Sequence, residues 1–220
     1  MTADNVTLSI TKEQLSQLPL VEFQGQIHII DSVADAQEAI NRLSEAGVVG
    51  FDTETKPSFK KGRTNTVSLI QISTDNDCYL FRINKFGFAQ CLIGFMQNPS
   101  IIKVGLSLRD DFHVLHRLSP FEPQSFIDLQ PFVADYCISD ASLQKIYAII
   151  FGARISKSQR LSNWEAESLT EQQQSYASID AWACLRIYRH LKSGKFNPRL
   201  SPYHPDSNEN DDKIIISTQN

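Results

Sequence analysis

The sequence has no long apolar run. Its uninterrupted apolar stretches are short, such as Tyr147–Phe151, against the roughly 20 residues that a membrane-spanning helix needs. The first residues, MTADNVTLSITKEQ, have no basic patch followed by a continuous apolar segment, so no secretory signal peptide is expected. Cysteine is sparse: Cys78, Cys91, Cys137 and Cys184 form no CxxC pair, and each lies among apolar or small residues. That argues against a zinc ribbon or a disulfide framework and predicts reduced, mostly buried thiols in a cytoplasmic protein. There is no basic excess either. Lys and Arg total 21 against 25 Asp and Glu, a net charge of −4, which excludes a uniformly basic nucleic-acid coat. The charge is uneven, however. Residues 201–220 hold Asp206, Glu209, Asp211 and Asp212 against Lys213, a net of −3, so the first 200 residues are near neutral at −1. Local basic patches, and with them a nucleic-acid partner, stay open.

What is present suits one folded unit. A chain of 220 residues with 41% hydrophobic and 21% charged residues can bury one sizeable core. Residues 21–31 have strand composition. Ser32 or Asp31 can cap a helix over 34–46, with Ala36, Ile40 and Leu43 on one side and Gly47 as its stop. Residues 48–54, 67–73 and 78–83 read as three strands in succession, an antiparallel meander. The period then changes. Helices are expected near 88–97, 108–118, 130–136, 142–151 and 171–192, with short strands at 101–104 and 126–129 between them. The fold class is therefore α/β, with a mixed central sheet, the meander and then parallel strands, and helices on both faces.

The informative residues are acids in apolar places. Asp52 and Glu54 lie two apart in the strand VVGFDTET, so both point to one face. Two ionised carboxylates at close range repel each other, and burial raises the cost. A divalent cation such as Mg²⁺ or Mn²⁺ would remove both penalties; a strand end whose acids reach solvent explains the pair equally well. In the helix after Lys103-Val-Gly, Leu108, Asp111, Leu115 and Leu118 form one stripe, so Asp111 interrupts the inward face while Asp110 lies nearer solvent. Tyr176 and Asp180, four apart in YASIDAWACLRIY, are neighbours on a helix flanked by Ala177, Ala181 and Ala183. Taken alone, a core tyrosine bonded to its aspartate accounts for that pair.

Together these residues resemble the three motifs of the DEDDy 3′–5′ exonucleases. The first is Phe51-Asp52-Thr53-Glu54-Thr55, the second Val104-Gly105 with Asp111 six residues on, and the third Tyr176-x-x-x-Asp180. The resemblance covers roughly residues 26–192, and the stand-alone domains related to ribonuclease D and the Werner syndrome exonuclease are the nearest in kind. It implies a ribonuclease H-like fold and phosphodiester hydrolysis with two divalent cations, Mg²⁺ or Mn²⁺. Asp52, Glu54 and Asp180 would ligate one cation, and Asp52 would bridge to a second, on which Asp111 acts partly through water. Tyr176 would orient the attacking water. The implied substrate is the 3′ end of DNA or RNA, the product a 5′-mononucleotide, and no membrane is involved. The expected organisation is a peripheral segment at 1–25, the exonuclease domain at 26–195 and an acidic, disordered tail at 196–220.

The loop after the first acids carries Lys56, Lys60, Lys61 and Arg63 without an acid. Lys60, Lys61 and Arg63 are the candidate phosphate contacts, and Phe59 a base-stacking residue. A second acid-free stretch, with Arg154, Lys157 and Arg160, reads equally as a phosphate contact or a plain connector. Trp164 is expected in the core, and His113 and His116 at the surface rather than on zinc. Two other functions compete with the exonuclease: a non-catalytic nucleic-acid-binding module of the same fold, and an aspartate-nucleophile phosphatase. The phosphatase would need an Asp where Glu54 stands and has no role for Tyr176.

Overall fold

The structure, a computed structural model, describes residues 7–56 and 66–204. In chain order the elements are α1 (Lys12–Gln17), β1 (Gln26–Ile30), α2 (Val33–Leu43), β2 (Val48–Thr55), β3 (Val67–Ser73), β4 (Asp77–Phe81), α3 (Ile83–Phe86), α4 (Gln90–Met96), β5 (Ile102–Gly105), α5 (Leu108–Leu115), β6 (Phe126–Asp128), α6 (Leu129–Ala134), α7 (Leu143–Phe151) and α8 (Glu171–Lys192). One six-stranded sheet has the order β1-β4-β3-β2-β5-β6. The pairs β2–β3 and β3–β4 are antiparallel, and β1–β4, β2–β5 and β5–β6 are parallel, so β3 alone runs against the rest. This is the expected mixed sheet, with the meander at its centre.

Local chemistry sets the element ends. The Ser32 side chain accepts the Asp35 N–H at the start of α2, and Thr170 and Gln173 close a capping box at the start of α8. Gly152, with φ +64°, stops α7 in the left-handed conformation that costs glycine little. The expected strand at 21–31 shrinks to Gln26–Ile30, and the helix expected at 108–118 ends at Leu115. The four-residue α3 gave no periodic signal and was not expected.

The two faces of the sheet are covered separately. Phe51, Ile70, Ile72 and Phe81 pack against residues of α2 and α4 on one face. On the other, α8 crosses the sheet over β2, β3 and β4, with Leu69, Cys78, Leu80, Trp164 and Ala177 in one cluster and α6 and α7 in the next. Residues 7–25, read as peripheral, are fastened to that second cluster: Leu8, Ile10 and Leu15 are buried in it, and Leu8 bridges to Ile138. All four cysteines are free, but only Cys78 and Cys184 are buried; Cys91 and Cys137 are partly exposed, fewer buried thiols than expected. Of the tail, Pro198–Leu200 form a 3₁₀ turn and Phe196 and Tyr203 pack on the body; residues 205–220 lie outside the described residues. No helix among the described residues is long and apolar enough to cross a membrane.

Candidate active site

The site forms where β2 meets α8. Alternation along β2 sends Gly50, Asp52 and Glu54 to the α8 face and Phe51 to the opposite core. A Cβ on Gly50 would stand 1.9 Å from the Ala181 carbonyl oxygen, so the absence of a side chain there lets α8 lie directly against the strand. That close approach sets Asp180, on the inner face of α8, beside Asp52 and Glu54. Carboxylate oxygens of Asp52, Glu54 and Asp180 all lie within 4.8 Å of one another. Tyr176, one turn before Asp180, gives its hydroxyl to the Asp180 carboxylate.

Asp111 stands apart from this trio. Thr53, which faces away from Asp52 on β2, donates its hydroxyl to Asp111. The start of α5 is fixed from β6: Asp128 accepts the N–H groups of Ser107 at 3.1 Å and Leu108 at 2.9 Å, and also that of Gln130 at 2.9 Å. Ser107 has φ +58°, a left-handed conformation that costs a non-glycine residue on the order of 1 kcal/mol; the Asp128 bonds hold it. Asp110 is exposed.

The electrostatics follow from burial and crowding. Burial, then the charges of Asp180, Asp111 and Glu54, push Asp52 well above the usual carboxylate range. Glu54 is raised to about 8, first by burial and then by Asp180 and Asp111; the Trp164 indole N–H and Arg160 oppose the rise. Burial raises Asp180 to about 7, against the pull of the Tyr176 hydroxyl and Lys157. Asp111 also rises to about 7 through burial, moderated by Thr53. Burial and then the neighbouring acids raise Tyr176 as well, so it stays a neutral hydroxyl. Neither Lys157 nor Arg160 closes an ion pair with the acids. A trio of oxygen donors that forms no ion pair among the described residues fits a hard divalent cation such as Mg²⁺ or Mn²⁺.

A cavity of about 370 Å³ opens over Asp52 and Asp180, lined also by Ser107, Lys157, Arg160 and Tyr176. The stretch that sequence left open between phosphate contact and connector thus brings two cations to the cavity. The other basic candidates, Lys60, Lys61 and Arg63, lie with Phe59 outside the described residues; Lys56 pairs with Glu165 at 2.6 Å. Trp164 is fully buried, and His113 and His116 are exposed, as expected. Sequence reasoning missed Thr53, Asp128 and Gln71. An acid in the apolar strand Phe126–Asp128 was a visible signal of the kind that identified Asp52; a lone glutamine in the apolar run VSLIQIS was another.

Residues 27–194 match the family model described as 3′–5′ exonuclease. The chain is 35% identical over 184 residues to the bifunctional 3′–5′ exonuclease/ATP-dependent helicase WRN of Mus musculus, covering 79% of this chain and 13% of that protein. It spans 28% of the exonuclease mut-7 homolog of Aedes aegypti. The crystal structure of Escherichia coli RNase D superposes with a TM-score of 0.68 at 22% identity, covering 76% of this chain and 44% of that one. The Trypanosoma brucei RNase D complex with RNA U12 gives 0.67 at 17% identity, covering 77% and 63%. Both structures share the ribonuclease H-like sheet described above.

Proposed function

Because this chain belongs to the 3′–5′ exonuclease family, we propose that it removes nucleotides one at a time from the 3′ end of DNA or RNA, releasing 5′-mononucleotides. One observation carries the reading: Asp52, Glu54 and Asp180 converge within 4.8 Å from a strand and a distant helix, and among the described residues no basic side chain forms an ion pair with them. Asp52, Glu54 and Asp180 would hold one divalent cation and Asp52, with Asp111 behind it, a second. Held there, such ions would supply an activated water and charge stabilisation for an in-line displacement.

The chain's own residues do the rest. Asp180 accepts the Tyr176 hydroxyl, which fixes the phenol over the cavity. Since Tyr176 keeps its proton, it orients the attacking water as a hydrogen-bond partner and does not serve as its base. Thr53 holds the Asp111 carboxylate, and Asp128 fixes the start of the helix that carries it. Lys157 and Arg160, at the cavity wall, meet the backbone phosphates of the terminal nucleotides, which makes binding salt-dependent. Lys60, Lys61 and Arg63, which follow β2 in the sequence, are proposed as further phosphate contacts. The RNA held by the T. brucei relative supports a nucleic-acid substrate here. Free cysteines suit a reducing, cytoplasmic compartment.

The test is digestion of 5′-labelled DNA and RNA oligonucleotides. A ladder shortening from the 3′ end is expected with Mg²⁺ or Mn²⁺ and none in chelator. Asp180→Asn abolishes it while leaving the protein folded. Tyr176→Phe slows it roughly ten- to a hundredfold, as loss of an orienting group does. Equal turnover in metal-free buffer, or full activity of Asp180→Asn, would refute the site.

A further inference from the structure

Gln71 lies in the middle of β3 and is completely buried, and neither its amide nitrogen nor its amide oxygen has a hydrogen-bond partner. An amide left so in the interior loses the hydrogen bonds that water gives it in the unfolded chain, and an apolar side chain of the same length would avoid that cost. Its position is informative. In the antiparallel register Gln71 stands directly opposite Asp52, and directly opposed residues project from the same face, their Cβ atoms roughly 5 Å apart. Gln71 therefore rises beside Asp52 under α8, on the side of the sheet that carries the site.

The donors to the four acids show what is missing. Asp111 receives the Thr53 hydroxyl. Asp180 has the Tyr176 hydroxyl beside it, and Glu54 has the Trp164 indole N–H nearby, although that N–H makes no hydrogen bond. Asp52, the most crowded of the four, is aided only by the backbone N–H of Thr53. The one uncommitted donor on the neighbouring strand is the Gln71 amide.

We propose that Gln71 is a positioning residue for Asp52: its amide N–H group donates to the Asp52 carboxylate in the cation-bound site, fixing which carboxylate oxygen faces the cation. A charge-assisted bond of this kind is stronger than a neutral one, and partners of ligating carboxylates tune metal affinity by 10–100-fold. The inference rests on the exonuclease reading for the role of Asp52, and adds to it a group that touches neither substrate nor cation.

The test uses the whole chain with the cations alone and then with an oligonucleotide. Gln71→Met, near-isosteric and without the amide, is expected to melt at or above the wild-type temperature in chelator, because it removes two unsatisfied groups. Its Mn²⁺ affinity, measured by calorimetry without substrate, should fall roughly 10–100-fold. Its kcat should fall with little change in KM for the oligonucleotide. A purely structural glutamine would give the reverse: a lower melting temperature with unchanged Mn²⁺ affinity, which overturns the proposal. Wild-type protein supplies a readout independent of any variant's folding. On Mg²⁺ addition the Gln71 side-chain NH₂ proton resonances should move downfield, and resonances that stay in place overturn the proposal. Wild-type digestion with an unaffected Gln71→Met removes this inference alone, whereas a wild-type protein that binds no divalent cation removes both it and the exonuclease reading.

Discussion

The two faces of β2 and β3 are built on opposite principles. On one face Phe51, Ile70 and Ile72 are fully buried against other apolar groups, and every atom there gains by leaving water. On the other, one residue along each strand, Asp52, Glu54 and Gln71 share the space under α8 with Asp180. Those groups lose by burial: the carboxyls are held above their usual range, and the glutamine amide has no partner. β2 thus stabilises the fold through Phe51 and spends part of that stability on Asp52 and Glu54, and β3 sets Ile70 and Ile72 against Gln71 in the same way. The strained face is tolerable because the quiet face is well packed, and because a cation can reverse the repulsion.

That contrast can be broken by paired substitutions. Phe51→Ala should destabilise the protein by about 3–5 kcal/mol, the usual cost of removing a buried phenyl ring, whereas Asp52→Asn should melt no lower than wild type in chelator at pH 8, despite losing activity. Denaturant unfolding of both checks this; comparable losses from the two substitutions would mean that the faces do not differ as described. A smaller effect sharpens it. The acids titrate near 4 when unfolded and at about 7 for Asp111 and Asp180 and about 8 for Glu54 when folded. The folded state therefore binds the extra protons, and that contribution is fully present below about pH 4 and lost as pH rises through 7 to 8. In chelator the melting temperature should fall across pH 5–9 through this contribution, and Mg²⁺ should flatten the decline. A melting curve in chelator that rises over that range would contradict the shifts.

Much of the architecture was legible because two periodicities carried it. The limits of α8, Glu171–Lys192, coincide with the expected ones since its caps and its inward face are both written locally. Asp52, Glu54 and Asp180 stood out as charges where the pattern called for apolar residues, and spacing placed each pair on one face. The partners that hold those acids were harder to see. Thr53 meets Asp111 across a separation of 58 residues, and Asp128 reaches Ser107 across 21; such pairings depend on sheet order, which no local pattern specifies. Gln71 was visible as a polar residue in an apolar strand, but only the β2–β3 register shows that it faces Asp52. Lys157 and Arg160 stayed undecided because a connector's path over the surface is set by what it packs against.

Proton counting tests the central claim most directly. Titrating the metal-free protein with Mn²⁺ at pH 7, in buffers of different ionisation enthalpy, measures protons released on binding. Acids held protonated by burial and mutual repulsion must shed those protons to take up the cation, so binding should release protons, and Asp180→Asn should weaken it sharply. Binding that releases none and is indifferent to Asp180 would contradict the account.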